Sequence, residues 1–285
     1  MSVIDIKPPK ISLPGKGGFW KQVGMMVLGT TISLLLTITA AQLLSMRQRA
    51  KDRRMSAMMV MSNIESFART LEIRSERMAP TDSLAAWLLN TPYEDLELMP
   101  EKELSNLISR ATHVATLNHD KSAENVFSNN IETWKNMGNV HFIDQVGSCF
   151  SALNGVEVQF NEWVQDVIDA RHDVNINPDK YEGSTVAMKM MHSDRMRTNM
   201  AAMHNRRCWL RYAAACLRYY NLRNMEAIGI TEEEVIKYTN ARELEDTPVG
   251  TPPDAEDYYT DPYTLDSLTS LQHLNVHLAE LKKDN

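Results

Sequence analysis

The sequence predicts an all-α protein with one N-terminal transmembrane helix, a helical stalk, and a helical-bundle soluble domain built around a long antiparallel helix hairpin. The run from Gly24 to Met46 is uncharged and predominantly apolar. Behind it, apolar residues recur at helical spacings of three and four, and long stretches lack the alternation of β-strands. Gly and Pro number only 11 each among 285 residues. Together these observations favour helices throughout.

The apolar run is long enough to cross a bilayer, because a helix rises ~1.5 Å per residue and the run therefore spans ~34 Å. A secretory signal has a shorter apolar region of about 7 to 15 residues and a small-residue cleavage site, whereas this run ends in Leu43, Leu44, Ser45 and Met46. A buried core helix is the other alternative. We expect a retained transmembrane helix at residues 24–46, preceded by a basic N-terminal tail at residues 1–23.

Basic residues stand on both sides of the run, with Lys16 and Lys21 before it and Arg47, Arg49 and Arg53 after it. The positive-inside rule therefore discriminates little between the two orientations. A short basic tail followed by a long domain favours the tail inside and the domain outside, in the periplasm if the membrane is a bacterial inner membrane. Three cysteines that cannot all pair within one chain argue against that oxidising location.

One face of the run carries small residues at spacing four: Gly29, Ser33, Thr37 and Ala41. Such a face lets two helix backbones approach closely in lipid and predicts a homodimer through the transmembrane helix. The alternative is that transmembrane helices are rich in small residues without any dimer.

No Gly or Pro interrupts residues 47–79, which we expect to form a juxtamembrane helical stalk that takes part in the dimer. Six apolar residues there follow the spacing of a coiled-coil seam, namely Ala57, Val60, Ile64, Phe67, Leu71 and Met78. The alternative is a helix that turns these residues toward the core of its own domain. Pro80 is expected to end the stalk and to open the bundle domain at residues 80–244.

Two long amphipathic helices are expected in the bundle domain, from Phe142 to Val174 and from Thr185 to Ile228. The first is mostly acidic and the second mostly basic. If they fold back on each other about the intervening turn, three acids face the region of three bases. The acids are Glu162, Asp166 and Asp173, and the bases are Arg197, Arg195 and Lys189.

Shorter elements flank this hairpin. Pro100 begins a helix expected to reach Leu117, and Thr231 with Glu234 forms a capping box that opens another. Residues 245–263 hold four prolines and many acids and are interpreted as an acidic linker. A C-terminal amphipathic helix at residues 264–285 is expected to dock on the domain or on a partner.

Charge and motifs narrow the function. From Met55 onward there are 21 Lys plus Arg against 35 Asp plus Glu, a formal charge of −14, which argues against nucleic acid as a partner. The sequence holds no GxSxG, no phosphate-binding Gly-rich loop, no HExxH and no CxxC. We therefore expect neither an enzyme nor a cofactor, although catalytic residues that converge only in the fold stay open.

Two sets of residues are candidates for ligand binding. Arginines with interleaved aromatics could bind a small anion or lipid headgroups, or else form salt bridges to acidic helices: Arg207, Arg211, Tyr212 and Arg218. Soft ligands at spacing four could bind a metal such as Cu(I): His192, Met196, Met200 and His204. Each step of four residues drifts by ~40° around a helix, so the methionines are also explained as core residues.

The stretch from Ile131 to Phe150 carries a recognisable pattern: Trp134, Met137 to Asn139, Phe142, Ile143 and Asp144. With the layout of a basic tail, one span and a helical domain, it resembles a group of uncharacterised bacterial single-span membrane proteins. The resemblance implies a turn between two helices and no assigned activity. The function expected is a scaffold, sensor-like module or envelope-complex subunit that acts through protein contacts; the alternative is a domain that binds a small anion or soft metal.

Overall fold

The computed structural model describes residues 16–129, 134, 139–239, 252–259 and 271–284. Every regular element in these ranges is helical, which confirms the all-α part of the predicted fold class. A 3₁₀ turn spans Pro178–Lys180. The α-helices are α1 (Lys16–Asn90), α2 (Tyr93–Leu96), α3 (Glu101–Ala111), α4 (Ser122–Asn129), α5 (Val140–Ile176), α6 (Val186–His192), α7 (Asp194–Ile228), α8 (Glu232–Thr239), α9 (Ala255–Tyr259) and α10 (Gln272–Asp284).

Some predictions fall outside the described residues. They concern most of the basic tail, Met137 and its neighbour Gly138 in the pattern behind the resemblance, most of the acidic linker, and the first residues of the C-terminal segment.

The chain divides into two compact units, residues 1–55 and 56–285. In the first unit the described part of α1 is long and apolar enough to cross a membrane, by length and composition alone. A signal sequence passes the same test. A core helix also passes it but is mostly buried, whereas the most apolar stretch of this helix has no buried residue, and Leu28, Leu36 and Leu44 are each more than 60% exposed.

In the second unit, the continuation of α1 belongs to the core. The six residues with coiled-coil spacing, from Ala57 to Met78, are at most 4% exposed and join one hydrophobic cluster with residues of most other helices. Packing within the same chain therefore accounts for their spacing, as the alternative interpretation expected.

The expected break at Pro80 is wrong, because α1 continues through it to Asn90. A proline inside a helix costs about 3 kcal/mol, since it removes one backbone donor and crowds the preceding turn. Here Met78, Leu84 and Leu88 are buried on both sides of it, and burying such a side chain contributes ~1.5 to 3 kcal/mol. Packing of these side chains offsets the cost, and Ser83 Oγ also donates a hydrogen bond to the Ala79 carbonyl.

Helix α7 lies beside this part of α1, and their contacts run in opposite order along the two helices. Asn221 donates to the Met61 carbonyl at 3.0 Å, and Ser75 donates to the Arg207 carbonyl at 3.1 Å. Asp82 lies seven residues after Ser75, about two helical turns further along α1, and accepts from the Arg207 side chain. These bonds satisfy buried polar groups that would otherwise be costly.

Helices α5 and α7 pack against each other over much of their length. Asp166 accepts hydrogen bonds from Arg195 and Asn199, and the bond from Arg195 lowers the pKa of the Asp166 carboxyl. Two other residues of the expected pairs bond elsewhere. Arg197 donates to Tyr93 Oη at 2.6 Å, and Asp173 accepts from Tyr181 Oη at 2.5 Å.

The single helix expected from Thr185 to Ile228 is divided in the structure. Helix α6 ends at His192, and Ser193 begins α7 as its N-cap, with Oγ accepting from the Met196 N–H. Ser193 is 1% exposed, so this cap is buried. Serine competes well for backbone donors at an N-cap, and the apolar spacing alone does not show where such a bond divides a helix.

The helix that begins after Pro100 also ends earlier than expected. Helix α3 stops at Ala111, and Leu117 lies in an irregular segment. Asn161 of α5 accepts from the Leu117 N–H and donates to the Leu117 carbonyl, both at 2.8 Å. The amide side chain thus replaces a helical partner, and Leu117 is still buried in the core.

Two predictions near the C-terminus can be examined. The capping box is confirmed, since Thr231 and Glu234 exchange hydrogen bonds between side chain and backbone N–H. Helix α10 docks on the domain through Leu274 and Leu278, which are buried. Trp87 Nε1 donates to Asn275 Oδ1 at 2.8 Å, close to a second contact between Lys282 and Asp95 at 2.7 Å.

Candidate functional site

Two buried arginines of α7 are paired with buried acids. Arg207 is 5% exposed and Arg218 is 9% exposed, and both are paired with acids of α1. A buried guanidinium needs such a partner, because desolvating an isolated charge is strongly unfavourable.

Asp82 is the acid of the first cluster and is 2% exposed. Its Oδ2 atom accepts from Arg207 Nε at 2.9 Å and contacts His204 Nδ1 at 3.0 Å. The other ring nitrogen, His204 Nε2, lies 3.6 Å from Cys208 Sγ. An acid, an imidazole and a thiol therefore follow one another in hydrogen-bond contact, with Arg207 beside the acid.

Two acids of α1 hold the second cluster. Arg218 donates from Nε to Glu65 Oε1 at 2.7 Å and from a terminal nitrogen to Glu72. Burial opposes the charge of the guanidinium, but the two carboxylates outweigh it and raise the pKa of Arg218. Glu65 is itself 9% exposed, so the cluster links two helices inside the domain.

Arg211 and Tyr212 lie under the short helix α9, which packs on α7. The Arg211 guanidinium stands 5.8 Å from the centre of the Tyr258 ring, and the Tyr212 ring lies 5.8 Å from the same ring. A hydrogen bond with Cys216 raises the pKa of Tyr212. The four residues predicted to bind an anion thus all have partners within the chain.

The predicted metal ligands have separate surroundings. The His192 ring stacks on Tyr93 at 4.2 Å, whereas His204 contacts Asp82. Met196 and Met200 are at most 2% exposed and belong to the hydrophobic core. Among the described residues, no group of three or more His, Cys, Asp and Glu side chains could hold a metal ion.

The residues of the expected association face are exposed along α1. A Cβ added at Gly29 would have no heavy atom within 4 Å, apart from its own helix backbone. Thr37 Oγ1 donates to the Ser33 carbonyl at 2.8 Å, so this hydroxyl is satisfied within the helix.

Another buried polar cluster was not predicted. The side chain of His119 is 1% exposed and contacts Glu157 through Nδ1, while its Nε2 lies 3.7 Å from Glu124. The partners come from three separate segments, and the sequence shows no spacing that would bring them together.

Cys149 is also buried, and burial raises the pKa of its thiol to about 11. A hydrogen bond from Asn224 has a smaller, opposing effect.

A cleft of about 510 Å³ lies between the end of α1 and α10. Trp87, Asn275 and Leu278 line it, with Asp95 and Lys282 also in its wall. Those polar groups already bond to one another across the cleft, so no unsatisfied set of them converges there.

Sequence reasoning identified the arginines and His204 but not their partners. The sequence pattern singled out neither Asp82 nor Glu65. Acids on an amphipathic helix are usually solvated. A signal did exist: Glu65 and Asp82 stand among the apolar residues of α1 that face the core.

No family model matches this chain, and neither a curated protein nor a solved structure matches it. The resemblance to bacterial single-span proteins therefore stays a prediction.

We expect Arg218→Ala to lower the free energy of unfolding by about 3 to 5 kcal/mol, because it leaves Glu65 buried without its cation. The matched control is Arg223→Ala on the same helix, whose pair with Glu226 is exposed and 3.5 Å long. That change should cost no more than about 1 kcal/mol. Denaturant unfolding of the full chain in detergent, followed by circular dichroism, measures both; equal losses would contradict the assignment.

Proposed function

We propose that this chain is a single-pass membrane protein whose helical domain acts through contacts with other proteins. The membrane anchor is supported by the exposure of the apolar stretch of α1. Large apolar side chains from Met25 to Met46 are between 46% and 76% exposed. Such a surface is much larger than a soluble monomer normally exposes, and lipid would cover it.

The polar groups of this stretch support the same proposal. Thr30, Thr31, Thr37 and Thr39 each donate to a carbonyl three or four residues earlier in the helix. In a bilayer, where water is absent, every hydroxyl must find an internal partner. A cleaved signal sequence remains the alternative, and it lacks support from the length of the apolar run.

The architecture proposed for the domain is a bundle around an antiparallel hairpin of α5 and α7. Contacts between the two helices support it, because Asp166 with Arg195 lies near one end and Cys149 with Asn224 lies near the other. The residue order is opposite on the two helices, as in a hairpin.

Two further features support a role in protein contacts rather than ligand binding. The arginines that could bind an anion already face carboxylates or a ring of the same chain. In addition, α5 exposes Val158, Ile168 and Ile176, each at least 50% exposed. At ~100° per residue, these three side chains lie within an arc of about 80° on the helix.

The three cysteines bear on which side of the membrane the domain occupies. None of the three cysteines forms a disulfide, and all lie in the described part of the chain. Such thiols are typical of a reducing compartment. This counts against the periplasmic orientation expected from the tail. Labelling an added surface cysteine from each side of intact membranes decides between the two orientations.

The membrane proposal predicts that Leu35→Arg with Leu36→Arg releases the chain from membranes. Each arginine at the centre of a span costs about 2.5 to 3.5 kcal/mol. The control, Leu35→Ile with Leu36→Ile, keeps the apolar surface and should stay in the membrane pellet after alkaline extraction. Recovery of full-length wild-type chain in the soluble fraction, or of a shortened chain, would contradict the proposal.

We also propose that the transmembrane helix pairs with a second copy through the face of Gly29, Ser33, Thr37 and Ala41. Because a Cβ at Gly29 meets nothing inside the chain, Gly29→Ile should leave the fold intact and weaken self-association. Cross-linking in native membranes should show at least a severalfold loss of dimer. Leu28→Ile, whose side chain points away from the centre of this face, should retain the dimer; equal behaviour of the two variants would exclude this face.

The contact proposal predicts that Val158→Glu with Ile168→Glu removes proteins that copurify with the full chain after cross-linking in membranes. Both side chains are exposed, so the change should not unfold the domain. Val276→Glu, an equally exposed change on α10, is the control and should keep the same partners. Identical partner sets for wild type and the α5 variant would rule out this surface.

A further inference from the structure

The contact sequence from Asp82 through His204 to Cys208 has the arrangement of an activated nucleophile. We propose that these three residues form a reactive-thiol site, in which Cys208 undergoes exchange with low-molecular-mass disulfides. A nucleophile beside a base, with the base oriented by a third group, is the arrangement that makes a weak nucleophile reactive.

The hydrogen bonds define the tautomer of His204. Asp82 is held by the Arg207 guanidinium at 2.9 Å and is acceptor-only when ionised. His204 Nδ1, at 3.0 Å from the same oxygen, therefore carries the proton and donates. In the neutral ring, Nε2 is then the acceptor, and it lies 3.6 Å from the Cys208 sulfur. The imidazole is thus oriented to take the thiol proton.

The two other cysteines lack this arrangement. Burial raises the pKa of Cys149 to about 11, and its polar neighbour is the amide of Asn224. Burial also raises the pKa of Cys216, whose hydrogen-bond partner is Tyr212. Because Cys149 is buried like Cys208 but lacks a neighbouring base, it serves as the internal reference in the same chain.

A disulfide reagent cannot reach Cys208 without a change in the structure around it. Cys208 is fully buried, and helix α9 packs on α7 beside it. Tyr259 belongs to that helix; burial raises the pKa of its hydroxyl, and Cys208 adds to the rise. We therefore expect exchange to require a movement of α9 away from α7, which would expose the thiol beside His204, whose side chain is already 22% exposed.

The exchange needs no reactant other than the disulfide. The Cys208 proton moves to His204 Nε2, and the thiolate attacks one sulfur of the disulfide. A new bond forms between Cys208 Sγ and that sulfur while the original S–S bond breaks. The departing thiolate takes the proton from His204, which returns to its neutral form.

The experiment uses the full chain in detergent and the disulfide dithiobis(nitrobenzoate). Rates of mixed-disulfide formation at each cysteine are measured by mass spectrometry over a range of pH. We expect Cys208 to react faster than Cys149 near neutral pH. We expect His204→Gln to slow it about tenfold and to move its pH profile upward. The control is His141→Gln at an exposed position, which should change neither the reaction rate of Cys208 nor its pH profile.

A second variant tests the cover. Tyr259→Ala should speed reaction at Cys208 severalfold and leave Cys149 unchanged, and circular dichroism verifies that each variant is folded. The proposal is overturned if Cys208 stays unreactive before unfolding in both wild type and Tyr259→Ala, or if folded His204→Gln reacts with the rate and pH profile of wild type.

Discussion

The domain depends on one constraint, which is that the buried cations of α7 must meet carboxylates of α1. Arg207 with Asp82 and Arg218 with Glu65 lie about eleven residues apart on α7, so they join the two helices at two separated levels. A slip of either helix along the other would separate both pairs and leave charges buried without partners. The attraction within such pairs is largely offset by desolvation, so their main effect is on register rather than on stability.

The same helix α1 meets two different requirements along its length. Before residue 55 its apolar side chains surround it on all sides and are exposed, whereas after residue 56 most of them are wholly or partly buried in the core. A helix that is apolar all round needs an apolar solvent, and one with a single apolar face needs a core. In both settings the backbone hydrogen bonds stay within the helix.

Composition and helical spacing were sufficient to predict the fold class and the position of most long helices. They failed where a side chain competes with the local pattern. Pro80 was expected to end a helix, but burial of its neighbours outweighs its cost; Ser193 divides a continuous pattern by capping α7; and Asn161 binds Leu117 outside any helix. Each outcome depends on a contact distant in sequence or on a single local hydrogen bond, and the helical spacing of apolar residues reveals neither.

The candidate site was visible only in part for the same reason. Sequence placed His204 and Cys208 one turn apart, but it could not show that Asp82 approaches from 122 residues away. That contact changes the role of the histidine. Arg207 holds Asp82 beside the imidazole, a carboxylate can only accept from His204 Nδ1, and this leaves Nε2 of the neutral ring as the acceptor beside the thiol. The ion pair that sets the register of the two helices thus also determines the chemistry available to Cys208.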